Sequence, residues 1–386
     1  MKSFAAALSA LALVLPALGA PTLVPIQKVT GPVKTNSYII KLKDGADKRT
    51  HLVKLGQVLG ITESHVKYTY DDVFHGYSGT LTGSALEFIQ SSKDVEYILP
   101  DGIATVQWDA SAGSSIEYDT PVAEARDEVG ALAEGGAGVD VYDVDTGVYT
   151  SHSSFGGRAR WGATFGGYAN SDGNGHGTHT VGTVGGSGFG PATSASIIAV
   201  KVLSDAGSGA YSDIIAGVDW VVSSARSSGR PSIATLSLGG SANTALDNAI
   251  VSAFNAGVHF TIAAGNSNVD AATTSPARVA AANTVGATDS NNAKASFSNF
   301  GSILDVWALG VNVRSAWIGG TSAVNTIFDH ILNTLISPAV AGILAVAIGR
   351  YGNKTPAALS TDLESHARSV VTGANSSTTK LLATVW

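Results

Sequence analysis

The chain has 386 residues, well beyond the usual single-domain length of about 150, so at least two folded units are expected. Charged residues are only 14% and glycines number 45, which describes a compact core with many tight turns and excludes a disordered chain. The formal charge of −7 argues against a nucleic-acid partner, and the absence of cysteine leaves packing and ions to do what disulfides do in smaller exported folds. Met1 to about Ala20 has the layout of a signal peptide: Lys2 is the short positive start, Phe4 to Leu15 the apolar stretch, and Ala17-Leu18-Gly19-Ala20 the small residues before cleavage. The stretch is too short to cross a membrane, so a secreted, extracellular protein without a membrane partner is expected.

From Ser37 the pattern reads strand (SYIIKLK), helix (about Arg49 to Leu59), two strands (HVKYTY and HGYSGTL), helix (Ser84 to Ser92) and a last strand opening at Val95. That order is the split β-α-β, a small ferredoxin-like α+β unit of about seventy residues. Beyond about Gly138, strands alternate with helices. VDVYDVD ends at Asp145, SIIAVKVL starts at Ser196, and Ser212 to Arg226 is an amphipathic helix with Ser212 as N-cap. Ile233 to Leu238 is a strand, Thr244 to Ala256 a helix stopped by Gly257, and HFTIAAGN starts at His259. Apolar strands joined by helical crossovers predict an α/β domain, a parallel sheet with helices on both faces. Ligands bind such sheets beyond the carboxyl ends of the strands, where Asp145, Gly239 and Asn266 fall. Asn353-Lys354-Thr355 and Asn375-Ser376-Ser377 fit the glycan-acceptor triplet.

The stretch DGNGHGTHTVGTVG, Asp172 to Gly185, sets His176 and His179 among glycines and small residues. A helix of such residues can lie close to its neighbours and hold an imidazole in place, which is how a general base is built. Two histidines three apart also suit a metal. The zinc-protease pattern, however, needs a glutamate directly after the first histidine and a second histidine four on, and here Gly177 and Thr178 follow.

With DTG at Asp145, GNGHGTH around His176, AVKVL, IAAGN ending at Asn266, SFSN and LDVW in that order, the sequence resembles the subtilisin-like serine proteases, most closely the fungal proteinase K group. The likeness runs from about Gly138 to Arg350 and implies a subtilisin-like sheet and hydrolysis of peptide bonds through an acyl-enzyme. By that resemblance Asp145 would orient His176, His176 would take the nucleophile's proton, and the Asn266 amide would donate to the oxyanion. Gly207-Ser208-Gly209 and Ser237-Leu238-Gly239 would pair with an extended substrate, and Ala264 and Gly265 would wall an S1 pocket for apolar or aromatic side chains. Asp305, with the carbonyls of Ala280 and Ala282, matches the group's structural calcium site, water completing the shell. No cofactor is implied for catalysis. The N-terminal unit resembles the propeptide that chaperones and inhibits these enzymes. The implied division is a signal peptide (1–20), a propeptide (21–107) ending near Gln107, a linker and atypical mature N-terminus (108–137) and a peptidase domain (138–386). The partners are peptide substrates and the chain's own propeptide, and relatives imply a monomer.

The nucleophile departs from the family. There a Gly-Thr-Ser-Met-Ala-(Thr/Ser)-Pro run starts the central helix, which is present here from Pro338, but FDHILNTLIS, Phe328 to Ser337, precedes it. Counting back four from Pro338 reaches Thr334, whose β-methyl restricts its rotamer; Ser337 lies a turn away. Gly320-Thr321-Ser322-Ala323 imitates the motif, but no proline-started helix follows Ser322. FDHILNTLIS is about three residues longer than the family's segment and reads as a translated intron remnant. The chain is therefore either a protease lineage with a disrupted nucleophile or a non-catalytic, peptide-binding pseudoprotease. Two smaller departures are Asp143, on the same strand face as Asp145 where relatives are apolar, and Trp108 to Gly130, which lacks the usual tryptophan-glycine-leucine start.

Overall fold

The computed structural model describes residues 23–59, 65–106, 115–118, 135–327 and 336–386. The proposed signal peptide, Gln107 and Thr334 lie outside them.

The first unit runs β1 (Val33–Leu42), α1 (Lys48–Leu59), β2 (Val66–Tyr70), β3 (Gly76–Thr80), α2 (Gly83–Ser91) and β4 (Val95–Val106). Its antiparallel sheet has the order β4-β1-β3-β2, the split β-α-β expected from the sequence. Strand alternation sends Ile40 and Leu42 into a core with Leu55, Tyr77, Leu81, Ala85 and Ile89. Ile39, Tyr70 and Leu99 face the other way and join the core of the second unit. The small sheet is therefore apolar on both faces, and docking covers the one its own helices leave open.

The second unit contains β5 (Ser115–Tyr118), β6 (Asp140–Asp145), β7 (Ala159–Thr164), α3 (His176–Gly185), β8 (Ser196–Lys201), β9 (Ser208–Ala210), α4 (Tyr211–Ser228), β10 (Ser232–Leu236), β11 (Leu238–Ser241), α5 (Thr244–Asn255) and β12 (His259–Ala263). It continues through β13 (Thr274–Ser275), β14 (Asn283–Thr288), β15 (Val306–Leu309), β16 (Val313–Ala316), β17 (Ala323–Ile327), α6 (Ile336–Tyr351), α7 (Pro356–His366), β18 (Arg368–Ser369) and β19 (Leu381–Leu382). The main sheet has the order β18-β19-β15-β14-β12-β10-β6-β8-β7, and every ladder but β18–β19 is parallel. From β6 the chain goes first to β7 and β8 on one side and then to β10 on the other, so the carboxyl end of β6 is a switch point. Asp145 sits there.

Helices α4 and α5 pack on one face of the sheet, and α6 with Val184 of α3 on the other. The two buried helices differ from surface ones in composition. Every residue of α3 is buried, and Gly177, Gly182 and Gly185 lie where a Cβ would stand 2.1 to 2.3 Å from neighbouring atoms, so glycine is what lets the histidine-bearing helix approach. Helix α6 is apolar on all sides, as a central helix must be.

Three local expectations change. Ser212 is not the N-cap of α4: Ala210 holds that place, while Ser212 donates its N–H to Asp101 Oδ1 at 2.9 Å and its hydroxyl to Asp101 Oδ2 at 2.7 Å. The cap is a buried carboxylate from the N-terminal unit. The strand begun at Ile233 stops at Leu236, because Leu238 has turned away to pair with Val106. Within the expected linker, Ser115–Tyr118 adds antiparallel to β17, and Gly135 already packs against Val346 of α6. The asparagines of the two glycan triplets are both exposed and both engaged: Asn353 Oδ1 accepts from His259 Nε2 at 2.9 Å, and Asn375 Oδ1 accepts from the Ser377 hydroxyl at 3.3 Å and from Thr378 Oγ1.

Candidate active site

Asp145 closes β6 and His176 opens α3, and the fold brings them together: Asp145 Oδ1 lies 2.7 Å from His176 Nδ1, both side chains fully buried. The same oxygen accepts the Thr146 N–H at 2.6 Å. With Nδ1 donating to a carboxylate, Nε2 is the nitrogen with the lone pair, the tautomer a general base requires. His179 is turned elsewhere, its Nε2 3.3 Å from the Asn325 carbonyl and its ring edge-on to Trp317; burial, and secondarily His176, push it down to about 3. The two imidazoles hold separate partners, and no group of three or more metal-ligating side chains exists among the described residues.

Asp143 is buried beside this pair. Its Oδ1 accepts from Thr180 Oγ1 at 2.9 Å, while Oδ2 has no hydrogen-bond partner among the described residues. Burial, and then Asp145, hold its carboxyl well above the usual carboxylate range.

The far end of β4 lies in a groove. Ile103, Ala104 and Thr105 pair with Ala210, Gly209 and Ser208, while Thr105 and Val106 pair with Gly239 and Leu238 on the other side. Val106 N–H also donates to the Gly207 carbonyl at 2.8 Å. The segments 207–209 and 238–239 thus flank one extended strand, an antiparallel three-strand arrangement suited to peptide backbone. Gly207 has φ +78, and a Cβ there would stand 2.6 Å from Val106. Ser237 is buried with its hydroxyl 3.3 Å from that of Ser337. Next to the groove is a cavity of about 220 Å³ whose walls include Leu238, Gly239, Ala264, Gly265 and Asn299.

Asn266 follows β12 at the cavity's edge and is half-buried. Its setting depends on Asn299, which sequence reasoning had noticed only within SFSN. Asn299 Nδ2 donates to the Ala264 carbonyl at 2.8 Å, its N–H to the Gly265 carbonyl at 2.9 Å, and its Oδ1 accepts the Ser267 and Val269 N–H groups at 3.0 Å each. One carboxamide braces the chain on both sides of Asn266. Gly265, at φ +105, makes room for this, since a Cβ there would stand 2.5 Å from Asn299 Nδ2.

The serine alternatives are not gathered here. Ser322 is exposed in the β16–β17 hairpin turn and makes no side-chain hydrogen bond among the described residues. Ser337 lies in the first turn of α6, its Oγ 2.9 Å from Thr235 Oγ1. Asp305, at the expected calcium position, accepts the Thr284 N–H through Oδ2 at 2.6 Å, and burial, followed by Glu364, pushes it up to about 7.

Comparison with known proteins identifies the family. The subtilase family matches residues 136–380, and the Peptidase inhibitor I9 family matches residues 37–107. The chain is 34% identical to the cuticle-degrading protease of Metarhizium anisopliae, covering 97% of this chain and 98% of that one. It is 36% identical to Proteinase R of Parengyodontium album over 84% and 83% of the two chains. Among solved structures, a cold-adapted subtilisin-like serine proteinase superposes with a TM-score of 0.63 at 40% identity, over 70% of this chain and 95% of that one. Fervidolysin from Fervidobacterium pennivorans shares the fold, with a TM-score of 0.73 at 19% identity, covering 95% of this chain and 62% of that one. The protein belongs to the subtilase family of serine proteases and carries an inhibitor-type propeptide ahead of its peptidase domain.

Proposed function

We propose that this is the zymogen of an exported endopeptidase lineage whose nucleophile motif is disrupted in the chain as written. The observation that carries the reading is the buried Asp145–His176 pair, 2.7 Å apart, at the strand-end switch point beside an occupied peptide groove. In turnover, His176 Nε2 would take the hydroxyl proton as that oxygen attacks the scissile carbonyl, and Asp145 would stabilise the imidazolium. The Asn266 amide would donate to the oxyanion, worth about 10²- to 10³-fold in rate. The proton then passes to the leaving amine, and water repeats the sequence on the acyl-enzyme. Apolar or aromatic side chains would fill the cavity walled by Ala264 and Gly265. Strand β4 pairs in the groove up to Val106, its last residue, which supports cutting near Gln107. Before that cut the propeptide is the inhibitor.

Thr334 supports a second reading, a pseudoprotease that keeps the groove and binds peptides without turnover. The chain as written is expected to accumulate uncut after loss of its signal peptide, which the mass of the secreted product would reveal. Release of a fragment ending near Gln107, with a fluorophosphonate adduct mapped to Thr334 or Ser322, would instead identify a working nucleophile. A transcript lacking the codons for FDHILNTLIS would restore the lineage to an ordinary active protease.

Asp305 also supports a calcium site. A hard, buried carboxylate oxygen fits that ion; the Ala280 and Ala282 carbonyls and water would complete the shell and the ion would brace the start of β14. The folded chain holds the Asp305 proton up to about pH 7, whereas an unfolded one releases it near pH 4, so without a cation stability falls as pH rises through that window. Above pH 7, calcium at a hundredfold its Kd is expected to stabilise by about 2.7 kcal/mol. Thermal unfolding with and without calcium checks this, and Asp305→Asn should abolish the gain.

A further inference from the structure

The first turn of α3 begins at Gly175, which has no side chain to cap it, so the helix's first N–H groups must find partners elsewhere. They do so in three directions. His176 N–H donates to Asn174 Oδ1 at 3.2 Å, Gly177 N–H to Thr146 Oγ1 at 3.0 Å, and Thr178 N–H to Asp172 Oδ2 at 3.0 Å. Asp172 is the centre of this set. Its Oδ1 accepts from Thr146 Oγ1 at 3.0 Å, Asn174 N–H at 3.1 Å and Gly175 N–H at 2.8 Å, and its Oδ2 takes the Thr178 hydroxyl at 2.6 Å as well. Thr146 directly follows Asp145, and Gly175 directly precedes His176. One carboxylate therefore joins the end of the acid-bearing strand to the start of the imidazole-bearing helix.

We propose that Asp172 is a positioning residue for the Asp145–His176 pair, setting the spacing of the two side chains from outside the reacting atoms. The proposal rests on the reading of that pair as the acid and base of a peptidase. Charge and shape are both needed. Backbone N–H groups face each carboxylate oxygen, so in Asp172→Asn either orientation of the amide turns an NH₂ donor onto fixed donors. A negative group at this helix N-terminus also complements the macrodipole.

The test needs no nucleophile. In the full chain as written, the proton between His176 Nδ1 and Asp145 gives a proton NMR resonance far downfield of the amides, assigned by its loss in His176→Ala. Asp172→Asn is expected to keep cooperative thermal unfolding yet shift that resonance upfield and speed its exchange with water at least about tenfold. An unchanged resonance overturns the positioning role. Should Asp172→Asn not fold, Thr146→Val cuts the bridge while leaving the loop carboxylate in place. It must perturb the same resonance, and failure to do so overturns the proposal equally. If the unsubstituted chain lacks the resonance, the fault lies in the buried pair itself and the peptidase reading falls with the proposal. In a chain given an active serine, the same substitution should lower kcat about 10²-fold with little change in KM.

Discussion

Converting residues 332–336 to Gly-Thr-Ser-Met-Ala, which includes Thr334→Ser, should turn this chain into a self-processing peptidase. The expected gain follows from subtilisin itself, where removing the serine costs about 2 × 10⁶ in kcat. The proposed partners are placed for it: His176 lies 2.7 Å from Asp145, the chain around Asn266 is braced by Asn299, and the groove holds the end of β4. Helix α6 keeps its register through the conversion, because Ser337 remains tied to Thr235 at 2.9 Å and to Ser237 at 3.3 Å. Among the described residues the structural loss is Ile336→Ala in a buried position, about 2–5 kcal/mol for a core aliphatic side chain. Processing would appear as two secreted fragments separated near Gln107, together with hydrolysis of a peptide anilide bearing an aromatic P1 group. His176→Ala in the converted chain should remove most of that activity, since base and nucleophile act as a unit. A converted chain that folds, labels with fluorophosphonate at the new serine and still leaves its propeptide intact would sink the zymogen reading. One that folds and takes no label would place the defect outside the motif.

Much of this site is legible in the sequence because it depends on local rules. The valine-rich VDVYDVD reads as a strand despite its aspartates, so the end of β6 at Asp145 can be found, and glycines around His176 announce a helix that must come close to its neighbours. The βα alternation then predicts the sheet, and the sheet predicts where ligands bind. What escapes local reading is every group whose partner is remote. Ser212 has the composition of an N-cap, but Asp101, 111 residues earlier in the chain, supplies the acceptor instead. Asn299 looks like a loop residue until its four bonds to the Ala264–Val269 segment are seen. Strand β5 is too short to announce itself, and it exists as a strand only because β17 offers an edge. Asp143 is the opposite case. Alternation puts it on the Asp145 face and the family resemblance makes it a departure; that it is buried rather than a solvent-facing strand end is what the fold adds, at a cost in stability.

That cost can be measured by Asp143→Val. The carboxyl is 1% exposed, has one partner in Thr180, and no cation pairs with it among the described residues. Because burial raises its affinity for a proton, the folded chain binds that proton over a pH range in which the unfolded chain, with a carboxyl near pH 4, has released it. The contribution of this carboxyl is therefore most favourable in acid and is lost as pH rises from about 4 towards the raised folded value, at about 1.4 kcal/mol per pH unit. Valine removes both the orphaned oxygen and the linkage. It should stabilise by about 1–3 kcal/mol near pH 4, the cost of a buried unsatisfied polar atom, and by more at pH 6. Thr180 keeps its bond to the Gly177 carbonyl at 2.8 Å, so α3 is not left with a new unpaired hydroxyl. Asp143→Asn separates the contributions: it retains an acceptor for Thr180 and an imperfectly satisfied amide, but should lose the pH dependence as completely as valine does. Denaturant unfolding of the three chains at the two pH values decides the matter. A valine effect of equal size at both would mean that Asp143 is ionised when folded, and that a cation or solvent reaches it after all.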